Sequence, residues 1–208
     1  MNQDGAKQFT PKRVGIYGGS FDPPHLVHFA LAQAAVEQYA LDELLVVPTG
    51  HAWHKSRVLT AASHRLAMTK MTFEDLPQAR VDEREILRNG PSFTFDTLQE
   101  LRAENPDAEW SLLMGEDQFS TFTQWHRYED ILKIATLLVA LRADSMPRNS
   151  QKDIRNQGKI NYSVISMPAS PISATSVRQL AAKEQPINHL VKPAVARYIA
   201  ENRLYSFT

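Results

Sequence analysis

The residues best equipped for chemistry stand together near the start of the chain, in Gly18-Gly-Ser-Phe-Asp-Pro-Pro-His-Leu-Val-His28. Glycines let a backbone come close to a phosphate, and His25 and His28, three apart, share one face of a helical first turn. Amides exposed at that helix start point to the same place. Fixed donors of this kind stabilise the charge that develops on a transferring phosphoryl group, with no covalent step on the protein. The competing reading is a plain turn at Gly18 and Gly19, with Asp22 as a cap and the histidines as surface or zinc-binding residues. No third ligand is spaced as a zinc hydrolase requires. A second group, Ile172-Ser-Ala-Thr-Ser-Val-Arg178, opens a helix with hydroxyls and carries an arginine one turn inside. Ser173 and Thr175 can cap that helix while its amides still face an anion, and Arg178 can reach back with a forked charge.

Both groups need a scaffold. Arg13-Val-Gly-Ile-Tyr17 reads as a short buried strand running into the glycine turn. His25 to Tyr39, rich in alanine and with Leu26, Phe29, Ala30, Gln33 and Val36 in helical spacing, reads as a helix packed on a sheet. Leu44-Leu-Val-Val-Pro48 is apolar almost throughout, as in a parallel strand covered on both faces. There follow a helix capped by Ser63 and running through Glu74, a brief strand near Val81, and an amphipathic helix from Thr94 to Ala103 capped around Ser92 or Thr94. Trp110 to Met114, Thr136 to Leu141 and Tyr162 to Met167 are further strands. The polar stretch from Arg142 to Lys159 reads as a mobile surface excursion. Thr175 to Lys183 and Pro193 to Asn202 are closing helices, the second with Pro193 in its first turn and an apolar face of Val195, Ile199 and Leu204. Strands alternating with helices predict an α/β fold: a doubly wound, mostly parallel, Rossmann-like sheet with helices on both faces and a C-terminal helical cover. The glycine turn then lies beyond the carboxyl end of the first strand, where such sheets bind ligands.

Composition bounds the function. A chain of 208 residues, 43% hydrophobic and 22% charged, fits one globular domain, taken as 13–208 behind a flexible tail at 1–12. Lys and Arg together number 23, as do Asp and Glu, so the broad positive field of a general nucleic-acid binder is missing. With zero cysteines the chain has no disulfide framework, thiolate nucleophile or cysteine-ligated zinc, and a cytoplasmic setting is expected. Met1 to Lys12 has no apolar run resembling a signal peptide, and no segment approaches the apolar length that crosses a bilayer.

The string from Gly18 to His28 resembles the nucleotidyltransferase superfamily signature GGxFDPxHxGH, and further segments narrow the resemblance to the bacterial nicotinate mononucleotide adenylyltransferases across nearly the whole chain. His51-Ala-Trp-His-Lys55 looks like that family's PPHK element, whose lysine meets phosphate. Asp82 to Thr97 resembles its E-x-x-R-x-x-x-S-Y-T-x-x-T run, where loop amides around Ser92, Phe93 and Thr94 receive the pyridine carboxylate. Gly115-Glu-Asp-Gln-Phe119 is similar to its G-x-D-x-(L/F) element, with Asp117 on the ribose hydroxyls. Trp125 stands in the place of the tryptophan that stacks on the pyridine ring, and Ile172 to Arg178 looks like the ISSTxxR motif that grips ATP phosphates. Outside the resemblance, Lys55 is a solvated loop charge, Ser92 and Thr94 are helix caps, Asp117 is a buried cap and Trp125 is core. Val27 departs from the pattern, standing where the superfamily has glycine, and Ala52-Trp53 replaces a proline pair.

The resemblance implies transfer of AMP from ATP to nicotinic acid mononucleotide in NAD biosynthesis, with pyrophosphate leaving. His25, His28, Lys55 and Arg178 are the implied catalytic residues. Gly18, Gly19, Ser20, Phe21, Gly115, Asp117, Ile172, Ser173, Thr175 and Arg178 are expected on ATP, and Ser20, Phe21, Lys55, Ser92, Phe93, Thr94 and Trp125 on the mononucleotide. Magnesium is the expected cofactor, held by phosphate oxygens and water and not by a protein carboxylate cage. Neither nucleic acid nor membrane is expected as a partner. The alternatives are nicotinamide mononucleotide as acceptor, a pantetheine-phosphate adenylyltransferase and a non-catalytic nucleotide sensor. A dehydrogenase is disfavoured, because the G-x-G-x-x-G spacing and the later ribose-binding acid are missing. Such an enzyme requires the Gly18–His28 turn and the Ser173–Arg178 turn to fold together around one triphosphate.

Overall fold

A computed structural model describes residues 10–50, 58–141 and 160–206, together with the backbone of 154–157. Apolar runs with open flanks become the strands β1 (Arg13–Gly19), β2 (Glu43–Pro48), β3 (Ala79–Val81), β4 (Glu109–Gly115), β5 (Ala135–Ala140), β6 (Ile154–Gln157) and β7 (Ile160–Ile165). Their order in the sheet is β3-β2-β1-β4-β5-β7-β6. Every pair is parallel except β6 with β7. The order reverses beside β1, which pairs β2 on one side and β4 on the other; in open α/β sheets ligands bind beyond the strand ends at such a point, here Gly19 and Gly115.

Alternation along each strand divides the core into two layers. Leu45, Val47, Leu112, Met114, Leu137 and Val139 face one layer with Phe95, Leu98, Leu101 and Phe122. Leu44, Val46, Leu113, Leu138 and Ile165 face the other, with Leu31, Ala32, Ala35, Val36 and Phe73. Both faces are therefore covered, which is why these strands read as unbroken apolar runs.

The helices are α1 (Leu26–Tyr39), α2 (Ala62–Phe73), α3 (Arg84–Leu87), α4 (Thr94–Glu104), α5 (Glu116–Phe119), α6 (Tyr128–Ile134), α7 (Ala174–Ala182) and α8 (Pro193–Glu201). Pro193 starts α8 because the missing N–H is one the first turn leaves unpaired in any case. Val195, Ala196 and Ile199 then bury against Met68 of α2 and Val177 of α7. Each aliphatic side chain fully buried there contributes about 1.5–3 kcal/mol. The Tyr198 hydroxyl and His64 Nδ1, 2.9 Å apart, add a polar tie between α8 and α2. The expected C-terminal cover thus rests on one particular helix, α2.

Four local expectations are corrected. In α1 the buried face is Leu31, Ala32, Ala35 and Val36, while Ala30 and Gln33 are exposed; the helix is apolar almost all round, so spacing alone gave the wrong phase. Ser63 lies inside α2, whose N-cap is Ala61. Neither Ser92 nor Thr94 caps α4, whose N-cap is Phe93 with no side-chain cap bond. Within the 142–159 stretch, 154–157 is not a loose excursion but the antiparallel edge strand β6. Residues 1–9 of the expected tail, 51–57 with Lys55, and the rest of 142–159 lie outside the described residues. No helix among the described residues is long and apolar enough to cross a membrane.

Candidate active site

At the carboxyl end of β1 the chain passes through Gly18 and Gly19, which pair with Val47 and Pro48, into a turn whose residue Phe21 has φ 44°. Among the described residues, a Cβ on Gly18 or on Gly115 would meet nothing within 4 Å. Asp22, only 1% exposed, is the hub of this turn. Its carboxylate accepts the Tyr205 O–H at 2.7 Å and the Thr60 N–H at 3.2 Å. Its carbonyl accepts Arg178 Nη1 at 2.7 Å. The two motifs that must share one ligand therefore meet in a direct bond across 156 positions of sequence. Asp22 is not the cap of α1; that position belongs to His25. Burial, reinforced by the Asp22 charge, pushes the Tyr205 phenol far above its usual range, so it stays a donor.

His25 is 6% exposed, and among the described residues nothing bonds its buried Nδ1. Burial lowers its pKa to about 4, so the ring is neutral near pH 7. The His28 ring stacks on it with centroids 3.7 Å apart, and His28 Nδ1 accepts the His25 backbone N–H at 3.1 Å. An accepting Nδ1 leaves the proton of neutral His28 on Nε2. A buried polar atom without a partner costs free energy, and phosphate oxygens are what a ring at a helix N-terminus suits. Across the cleft Ser173 caps α7, its Oγ accepting Ser176 N–H at 3.1 Å. Arg178 Nη2 donates to Thr175 Oγ1 at 3.1 Å, so the guanidinium is aimed by the helix that carries it. Capping and anion-facing thus coexist, as the hydroxyl-rich start of α7 allowed.

Beyond β2 a cleft of about 470 Å³ is lined by Gly50, Ala62, Ile86, Arg88, Asn89, Gly90 and Pro91. A Cβ on Gly50 would lie 1.8 Å from the Glu85 carbonyl, so only glycine fits where these segments cross. A second opening of about 400 Å³ is lined by Pro91, Phe93, Gln124 and His126. Phe93 and His126 face each other with ring centroids 4.5 Å apart. Trp125 is half-buried and packs on Phe122 at 5.4 Å, so it is partly core and partly rim. Beneath them the Thr97 hydroxyl donates to Glu85 at 2.8 Å and accepts from Arg88 at 3.2 Å, and Arg88 reaches Glu100 at 2.8 Å. Burial raises the Glu85 pKa against the opposing pull of Thr97, Arg88 and Ser92. Ser92 and Thr94 are half-buried beside this network, at the start of α4. Asp117 is exposed in the first turn of α5, which rules out the buried-cap alternative.

The chain's pattern of motifs did not single out Arg65, Asp22 as a hub, Tyr205 or His126. Arg65 had a signal: it shares helical spacing with Met68, Thr69 and Thr72, all of them fully buried. Tyr205 had none, because its partner lies 183 positions away.

Residues 16–180 match the cytidylyltransferase-like family, and the chain is a nucleotidyltransferase of that class. It is 46% identical over 194 residues to a probable nicotinate-nucleotide adenylyltransferase of Albidiferax ferrireducens, covering 93% of this chain and 98% of the relative. A relative of the same name from Methylibium petroleiphilum is 39% identical over 199 residues, covering 94% of this chain and 93% of its own. The chain thus belongs to the nicotinate-nucleotide adenylyltransferases, enzymes of NAD biosynthesis. The fold is shared with nicotinic acid mononucleotide adenylyltransferase of Plasmodium falciparum complexed with NaAD, with TM-score 0.78, 23% identity, and coverage of 95% of this chain and 98% of that one.

Proposed function

We propose that this enzyme joins the AMP of ATP to nicotinic acid mononucleotide, giving nicotinic acid adenine dinucleotide and pyrophosphate. The observation that supports the reading is the 2.7 Å bond from Arg178 to the Asp22 carbonyl, which joins the two motifs expected on phosphate beside His25, whose Nδ1 has no partner among the described residues. An acceptor phosphate oxygen attacks the α-phosphorus in line, a new P–O bond forms, and the bond to the bridging α–β oxygen breaks. Neutral His25 and the Nε2–H of His28 donate to phosphate oxygens as charge builds on them, and Arg178 offsets the charge of the leaving pyrophosphate. Lys55 would serve the same polyphosphate, and Gly18, Gly19, Ser20 and Phe21 would follow the nucleotide with their backbone. Gly115 and Asp117 would take the ribose, and Ile172, Ser173 and Thr175 the phosphates at the start of α7.

Phe93, Ser92, Thr94 and Trp125 would hold the pyridine end, with Phe93 already lining the second opening. Among the described residues no three His, Asp or Glu converge on one point. Magnesium would be carried by phosphate oxygens and water, where it would neutralise charge on the triphosphate. Incubating the enzyme with magnesium ATP and either pyridine mononucleotide, then identifying the dinucleotide and pyrophosphate, tests the reading. Turnover with nicotinamide mononucleotide alone would reassign the acceptor, and no pyrophosphate from either would leave a nucleotide sensor.

A further inference from the structure

Arg65 is 1% exposed, and its guanidinium donates to four backbone carbonyls in three separate segments. Nε reaches Thr60 at 2.9 Å, Nη1 reaches Ser20 at 3.0 Å and Thr49 at 2.6 Å, and Nη2 reaches Gly50 at 3.2 Å. Ser20 is in the turn after β1, Thr49 and Gly50 follow β2, and Thr60 precedes α2. Gly50 lines the cleft of about 470 Å³, and the Thr60 N–H bonds Asp22 of the turn that also holds Ser20. Burying a cation is costly unless its donors are satisfied, so this geometry is held firmly or not at all. A planar fork spreads donors over carbonyls at fixed angles, which a lysine's point charge does not.

The neighbouring hydroxyls on the same helix face spend their donors locally, Thr69 on the Arg65 carbonyl at 2.7 Å and Thr72 on the Met68 carbonyl at 2.9 Å. Arg65 instead reaches across to the cleft. Its helix is in turn gripped by the C-terminal cover through Met68 and His64.

We infer that Arg65 is a positioning residue for AMP transfer, its four carbonyl bonds setting the turn after β1, the exit of β2 and Thr60 in one mutual geometry. It touches no reacting atom; it fixes Ser20 in the turn after β1 against Thr49 and Gly50 after β2 and Thr60 before α2. This rests on the reaction proposed above. A misplacement near 1 Å at a reacting centre costs about 10²-fold in rate.

The test uses the full chain as wild type, Arg65→Lys and Arg65→Gln, assayed with magnesium ATP at a temperature where circular dichroism shows all three folded. The expected result is a loss in kcat of about 10²-fold for Gln and less for Lys, with KM for ATP within about threefold of wild type. The factor should be the same for nicotinic acid and nicotinamide mononucleotides, because Arg65 acts at the phosphate end. Folded variants with kcat within about twofold of wild type overturn the inference. So does failure of both variants to unfold cooperatively, since Arg65 would then serve the fold and not the site. An inactive wild type removes the reaction itself and this inference with it, whereas an active wild type with unaltered variants removes this inference alone.

Discussion

At the end proposed for the phosphates, Asp22, His25 and Arg65 are 1%, 6% and 1% exposed; Tyr205 and Arg178 bond to Asp22, and Arg65 to Ser20, over long stretches of sequence. At the end proposed for the pyridine, half-buried Phe93 and exposed His126 line an opening of about 400 Å³, and the neighbouring Trp125 is half-buried. The difference fits what each end is proposed to do. Stabilising charge that exists only in the transition state needs dipoles aimed in advance, in a site shielded from water. Admitting a flat ring needs an open edge and aromatic faces, with stiffness supplied from below by the Glu85, Thr97 and Arg88 network.

The contrast is most exposed to refutation at His25. His25→Ala should cost about 10²–10³-fold in single-turnover rate, by an equal factor with either pyridine mononucleotide. An unequal factor would mean that the two ends are not separable. Next comes acidity. Native His25 takes a proton only near pH 4, whereas the unfolded chain takes it near 6.5. Between those values the unfolded state binds more protons, so stability contributed at His25 is lost as pH falls from 6.5 towards 4, by about 3 kcal/mol. Denaturant unfolding of wild type and His25→Gln across that window should show the wild-type slope flattened in the variant.

Trp125→Ala should raise KM for the acceptor by about tenfold, the value of about 1.4 kcal/mol for one lost ring contact, and leave KM for ATP unchanged. Equal changes in both constants would show that Trp125 belongs to the core and not to the rim. Smallest is Tyr205→Phe, which removes one donor from the Asp22 carboxylate and should lower stability by about 1 kcal/mol in urea titration.

Wherever a local pattern decides the structure, the chain was readable. Leu44 to Val47 announced a strand covered on both faces, and Pro193 announced the start of α8. The juxtaposition of the Gly18–His28 and Ser173–Arg178 turns followed from the chemistry that both were expected to share. The phase of α1 was not legible, because alanines on every side leave the helix with no polar stripe to orient it. The seven-residue α6, which buries only Ile131 outright, was too short to show a period. Capping at Ser63 and Ser92 failed for a related reason: a hydroxyl near a helix start permits a cap but does not select which residue leaves the helix. Arg65 and Tyr205 escaped notice because their partners are carbonyls and a carboxylate that only the folded chain brings near.

The Arg178 and Tyr205 bonds also order events during synthesis. The turn bearing Asp22 leaves the ribosome before its partners, which follow 156 and 183 residues later. A nascent chain halted after β7 has the sheet's seven described strands with His25 and His28, yet nothing from α7 or Tyr205 to grip the turn. The grip on the turn proposed to hold the triphosphate therefore forms only once α7 and Tyr205 have been made.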